Sequence, residues 1–277
     1  MITSNDNVDA ARALLRADGP RAALEQLKKD VRKVPREPRL RIFLFQLFCV
    51  VGEWDRALTQ LAVAAEFDPE AVPMAQTYRA VIRCEMLRER VFKGLRTPTF
   101  LGEPEQWMSL LVEANRVLAT GAEAEAASLR DAAFEQAPAI SGQIDGKPFN
   151  WIADADPRLG PVLEAVVEGK YYWVPFGRIA RVSLEPPADL RDQVWMPAQF
   201  IWSSGGESMG FIPTRYPGSQ SGDEDLTLAR RTEWRDSNDW PLGLGQRMLA
   251  TDADEVALMD LRKLVIDTSP TADTAAG

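Results

Sequence analysis

The sequence predicts an α+β chain, with helical hairpins in front and a small antiparallel β domain behind, closed like a barrel or curled as a sheet. Three observations carry this. The run RIFLFQLFCVVGEWDRALTQLAVAAEFDP (41–69) reads as two helices, broken at Gly52 and Glu53 and stopped by Asp68 and Pro69. Certain offsets then recur along the chain: Ala57, Ala64 and Pro69 follow Gly52 at the same steps as Ala126, Ala133 and Pro138 follow Gly121. Finally, beyond Lys170 the apolar period switches from helical to two.

The first helix of the central hairpin holds Ile42, Phe43, Leu44, Phe45, Leu47, Phe48, Val50 and Val51. That is too dense for a one-sided surface helix, so burial on most sides is expected. In the second helix Trp54, Ala57, Leu58, Leu61, Ala62, Ala64 and Ala65 return at three- and four-residue steps. Ala23, Leu24, Leu27 and Pro35 each precede Ala57, Leu58, Leu61 and Pro69 by 34 residues. A period of 34 is that of tetratricopeptide repeats, whose small residues let helices approach closely. The front of the chain is therefore expected to be tetratricopeptide-like, with a degenerate stretch at 71–104.

Taken in order, 9–32 gives two short helices separated at Asp18-Gly19-Pro20, and Pro35 and Pro38 lead into the central hairpin. A helix over 72–96 turns Tyr78, Val81, Ile82, Met86 and Leu87 inward. Its basic end, Arg83, Arg88, Arg90, Lys93 and Arg96, reads as a solvated face, or else as a patch for an acidic partner segment. A Pro- and Gly-rich loop (97–105) precedes a last hairpin over 105–136. After Pro138 come turn signals, with Asp145-Gly146 as a hairpin turn and a short helix expected over 162–169. Then follow the short candidate strands YYWVPF, RIARVSLE, PAQFIWSS, ESMGFIPTRYP, DLTLARRTEW, GQRMLATD, EVALMDL and RKLVID. The expected division is a repeat domain over 1–138, a connector over 139–169, a β domain over 170–267 and a disordered tail over 268–277.

Composition bounds the function. The 277 residues carry 32 basic and 41 acidic side chains, a net charge of −9, which disfavours nucleic acid as a partner. No apolar run is long enough for a membrane helix, and MITSNDNVDAARALLR has no signal-peptide core, so a cytoplasmic location without membrane contact is expected. Histidine is absent, which removes histidine triads, histidine-ligated zinc and histidine bases together. Cys49 and Cys84 fall in helical pattern and are expected as buried thiols.

The most enzyme-like feature is Asp154-Ala155-Asp156 with Arg158. Two carboxylates so spaced suit magnesium or manganese, and a metal-dependent enzyme is the alternative reading; a turn tied by an Asp to Arg158 pair explains the residues equally. No GxxxxGK segment exists, SSGGES lacks the order of a nucleophile elbow, and the spacing of Asp223, Glu224 and Asp225 is not that of a calcium loop. No cofactor is expected. Trp173, Trp195, Trp202, Trp234 and Trp240 are expected as the core and rim of the β domain, the alternative being an exposed aromatic binding face.

In a tetratricopeptide register the first helix of each pair lines a concave groove for a partner peptide. That places Arg39, Ile42, Gln46 and Cys49 on the groove side, with Gln76, Ala80 and Arg83 from the next helix. The apolar density of 41–51 leaves a second possibility open, that the chain's own β domain fills the groove.

The strings RIFLFQLFCVVGEWDRALTQL (41–61), FNWIADADPRLGPVLEAVVEGKYYWVPF (149–176), LRDQVWMPA (190–198), FIPTRYPGS (211–219), LARRTEW (228–234) and GQRML (245–249) resemble the ImpE family, also called SciE or TagJ, of proteins encoded with bacterial type VI secretion systems. Trp54, Trp151, Asp154, Asp156, Arg158, Trp173, Arg191, Asp192, Trp195, Arg215, Tyr216, Arg231 and Trp234 lie in these strings without an assigned role. The resemblance implies a cytoplasmic accessory protein without known catalysis. In some systems such proteins associate with the sheath subunit TssB and the sheath-recycling ATPase ClpV.

Overall fold

A computed structural model describes residues 4–237 and 240–267; the tail expected to be disordered lies outside the described residues. Helix α1 (Ser4–Lys33) is broken at Gly19, whose φ of 80° and ψ of −179° are not helical, just where Pro20 begins a new segment. Helices α2 (Pro38–Val50) and α3 (Trp54–Phe67) form the expected antiparallel hairpin. Pro38 sits in the first turn of α2, where no amide hydrogen is needed. At its far end the Gly52 N–H donates to Cys49 O and the Glu53 N–H to Phe48 O. That closure needs a left-handed residue, and Gly52 supplies it at φ 76°. Helix α4 (Val72–Phe92) stops earlier than expected, at another left-handed glycine, Gly94. Helices α5 (Gln106–Leu118) and α6 (Glu123–Gln136) make the last hairpin. Ala23, Ala57, Ala64, Ala126 and Ala133, chosen from spacing alone, are all fully buried.

The strands are β1 (Thr99–Phe100), β2 (Gly142–Ile144), β3 (Lys147–Phe149), β4 (Ile152–Asp154), β5 (Val162–Val167), β6 (Lys170–Pro175), β7 (Ile179–Ser183), β8 (Trp195–Trp202), β9 (Glu207–Pro213), β10 (Thr232–Arg235), β11 (Leu242–Gly245), β12 (Met248–Thr251), β13 (Glu255–Ala257) and β14 (Lys263–Ile266). Among the described residues the main sheet has nine strands in the order β1-β6-β5-β9-β8-β7-β14-β2-β3. It is antiparallel except for β1, which joins β6 in parallel, pairing Thr99 with Tyr172 and Phe100 with Trp173. Strands β4, β12 and β13 form a second small sheet, and β10 and β11 a ribbon.

Three expectations are corrected. The sheet does not close into a barrel, because β1 and β3 are not paired with each other and remain its edges. The short helix expected over 162–169 is strand β5, all six residues of which are buried. A strand covered on both faces loses its period-two signature and reads as a continuous apolar run. Much of DLTLARRTEW is likewise not a strand: Glu224–Thr227 forms helix α7, capped by Asp223 accepting from the Leu226 N–H at 3.0 Å, and only Thr232–Arg235 is extended. The Asp145-Gly146 turn does join β2 to β3.

One apolar cluster runs from Leu24 and Phe45 in the helices through Tyr78 and Trp107 to Trp173 and Trp195 in the sheet. A second fills the far face of the sheet around Phe149, Phe176, Phe200 and Leu264. The seam between helices and sheet is aromatic: Tyr78 packs on Trp195 and Phe211, Trp54 on Trp195, and Phe92 on Trp173, with ring centroids 5.7 to 6.2 Å apart.

Candidate interaction surface and the charge network behind it

Helix α4 organises the seam. Its inward face carries Tyr78, Val81 and Ile82, but also Glu85 and Arg88, both buried. Arg88 was expected on a solvated basic face; instead its Nε and Nη2 donate to the two carboxylate oxygens of Glu164 at 2.7 and 2.9 Å. Its Nη1 donates to Glu85 at 2.9 Å, and its Nη2 also reaches the carbonyl of Arg215 at 2.9 Å. Glu85 in turn accepts from the Trp195 indole at 2.9 Å. Glu164, at the middle of β5, also accepts from the Tyr171 hydroxyl and from Arg247. Arg247 continues the chain to Asp154, and its Nε donates to Pro213 O at 2.9 Å.

The electrostatics follow from burial and pairing. Burial alone would raise the Glu164 carboxyl, but Arg88 and Arg247 outweigh it and hold the group at about 2. For Asp154 burial wins over Arg247, and the carboxyl is pushed up to about 6. Burial lowers Arg215 to about 10, since no carboxylate touches it. Its guanidinium instead donates to Val50 O at 2.7 Å and Cys49 O at 3.4 Å, carbonyls at the negative end of α2, and to Thr227 O.

The twin aspartates are engaged rather than poised. Asp154 accepts from the Tyr216 hydroxyl at 3.0 Å and the Asp156 N–H at 2.9 Å besides Arg247. Asp156 accepts from Arg158 N and Nε at 2.8 and 2.9 Å and from the Gly243 N–H at 2.7 Å. Both are buried, and among the described residues no group of three or more Asp, Glu, Cys or His side chains is placed to hold a metal. The arrangement ties a turn to Arg158, and a metal there would have to displace two arginines from a water-poor site.

Some of the other motif residues serve the same seam and others lie at the surface. The Trp54 indole donates to Glu89 at 2.7 Å. Asp192 accepts from the N–H groups of Ala188 and Asp189, both at 2.8 Å, and Arg191 pairs with Asp189 while lying over the Tyr78 ring. Trp173 and Trp195 are wholly buried, Arg231 pairs at the surface with Asp223 and Glu233, and Trp151 and Trp234 are 40% and 36% exposed. The sequence reasoning missed Glu85, Glu164, Tyr171 and Arg247. One signal was present: Glu164 is a lone acid inside the apolar run VLEAVV.

The seven residues expected to line one groove are divided among several places. Arg39, Ile42 and Gln46 meet in a cleft of 430 Å³ between α1 and α2, shared with Val8, Arg12 and Phe43. Gln46 is mostly buried, with its amide 3.4 Å from Asp189 of the β half. Cys49 is fully buried. Ala80 packs beside Gly169, while Gln76 is exposed. Arg83 lies in a different cleft, of 730 Å³, between the start of α3 and the outer face of α4. The inner end of the expected groove is thus covered by the chain's own β half, and its outer end stays open.

Comparisons with known proteins agree with this architecture. A family model described as ImpE protein matches residues 146–265. The chain is 47% identical over 262 residues to the type VI secretion system accessory component TagJ of Pseudomonas aeruginosa, covering 94% of this chain and 92% of that one. It is also similar to the X-ray crystal structure of a Vibrio parahaemolyticus protein, with a TM-score of 0.87, 25% identity, and coverage of 94% of this chain and 98% of the other.

Proposed function

Since the chain belongs to the ImpE family, which includes TagJ, we propose that it is a non-catalytic adaptor of a type VI secretion system. In this reading it works in the cytoplasm, its front helices act as tetratricopeptide-like units, and its principal partner is the sheath subunit TssB, with the ATPase ClpV as a second. The single observation that carries the reading is the match to a secretion accessory component along nearly the whole chain. It is supported by the way the chemically capable side chains are engaged: Asp154, Glu164, Arg88 and Arg247 are buried and paired with one another, and Asp156 with Arg158. Such a network holds surfaces in position.

The partner segment sits in the open outer end of the groove, against Arg39 and Ile42. Affinity capture of the tagged chain from cells producing the complete secretion cluster is expected to retain the sheath subunit. The pair Arg39→Glu and Ile42→Asp is expected to release it with an unchanged circular dichroism spectrum. Capture that brings down no secretion component overturns the adaptor reading. Retention by the double variant moves the partner off this cleft.

A further inference from the structure

The outer face of α4 carries a stripe of arginines. Arg79, Arg83 and Arg90 fall within about 40° of one another at 100° per residue. All three are exposed, and none of their guanidiniums has a hydrogen bond or ion pair to another described residue. Their charge is opposite in sign to the chain's net charge of −9. The nearby carboxylates do not neutralise them: Glu53 pairs with Arg56 at 2.6 Å, and Glu89 takes the Trp54 indole, the Gln220 amide and Lys93. Asp55 is the one acid lining this cleft without a side-chain partner among the described residues.

Two of the three arginines, Arg83 and Arg90, line the cleft between α3 and α4, whose 730 Å³ also take in the half-buried side chains of Met86 and Leu87; Arg79 continues the stripe one turn beyond that lining. Apolar side chains flanked by guanidiniums suit a ligand that brings carboxylates and apolar groups together. Arginine forks bind carboxylates bidentately, and the thioether and isobutyl groups between them accept aliphatic side chains. Along a helix the arginines stand about 6 Å and about 10 Å apart, the spacing of acidic residues four and seven apart on a helical partner.

We propose that this second cleft docks an acidic peptide segment of a protein partner, with apolar residues set among its carboxylates. The inference rests on the adaptor reading but uses a site separate from the Arg39 and Ile42 cleft. The probe is a fluorescein-labelled peptide with Glu at steps of four and seven residues and Leu between them, titrated into the full-length chain and followed by anisotropy. Saturable binding that weakens as salt rises is expected. Combining Arg83→Glu with Arg90→Glu is expected to weaken it by about tenfold or more while the circular dichroism spectrum stays the same.

Binding that the double reversal leaves unaltered overturns the proposal, as does equal binding of the same peptide with Lys in place of Glu, or no binding at low salt. Arginine-dependent capture of phosphatidylserine vesicles in place of the peptide reassigns the stripe to a lipid surface and also overturns it. The two hypotheses fail separately. Loss of the sheath subunit from the affinity capture bears on the adaptor reading, and anisotropy with this peptide bears on the stripe alone.

Discussion

Arg88 of α4 and Glu164 of β5, separated by 76 residues in sequence, meet as a two-pronged pair with no access to water. An arginine and a glutamate buried this deeply must each satisfy nearly all their hydrogen-bonding groups, and here they do, through Glu85, Tyr171, Arg247 and the carbonyl of Arg215. The pair therefore sets the register of the helices against the sheet.

Removing one partner leaves an uncompensated charge. Glu164→Gln is expected to destabilise the chain by about 3–5 kcal/mol. Urea denaturation followed by tryptophan fluorescence measures it, and a loss below about 1 kcal/mol would mean that the network contributes packing only.

The two ends of the network respond to pH in opposite directions. Glu164 is depressed from 4.5 to about 2, so its contribution is complete above pH 4.5 and disappears as pH falls toward 2. Asp154 is raised from 3.8 to about 6, so the folded state holds a proton that the unfolded chain gives up. Its contribution is complete below pH 3.8 and is lost as pH rises through 6, by about 3 kcal/mol. Denaturation midpoints of Asp154→Asn should accordingly show a flatter slope than the parent between those values. An identical slope in both proteins would assign the titration to another group.

Gly52→Ala tests the closure of the central hairpin. The left-handed backbone disfavours any side chain, and an added methyl would stand 2.7 Å from Cγ of Gln220. A loss of about 1–3 kcal/mol is expected in thermal unfolding. Gln220→Ala in the same background should recover the steric part and leave the backbone part.

The thiols should be inert. Burial pushes Cys84 up to about 11 and raises Cys49 well above the ordinary thiol range, and both side chains lie inside the fold. Titration with a thiol reagent is expected to label neither until denaturant is added. Rapid labelling of the native chain would place one of them at an opening.

Much of the helical half was legible from punctuation. Gly52, Pro69, Gly121 and Pro138 mark turns because only certain residues tolerate those backbones, and the alanines at fixed offsets are buried as spacing implied. The strands between 170 and 213 were legible because one face alternates. Strand β5 was not, since burial on both sides erases alternation and short apolar runs do not separate strand from helix. An open sheet and a closed barrel share the same local pattern and differ only in whether the edges meet. Arg88 was misread for a related reason: an arginine on a helix is assigned to solvent unless its partner is known, and that partner lies far downstream in an apolar run. The aspartates were half legible, with the Asp156 to Arg158 tie visible locally and the reach of Arg247 to Asp154 hidden by a sequence separation of 93.

The aromatic seam has a consequence for synthesis. Ribosomes deliver Trp54, Tyr78 and Phe92 well before the Trp173, Trp195 and Phe211 that cover them. A nascent chain halted midway thus displays a sticky flank, as does any fragment ending ahead of those strands. Isolated front-half fragments should clump or recruit chaperones, and capture experiments with them would report that stickiness instead of recognition.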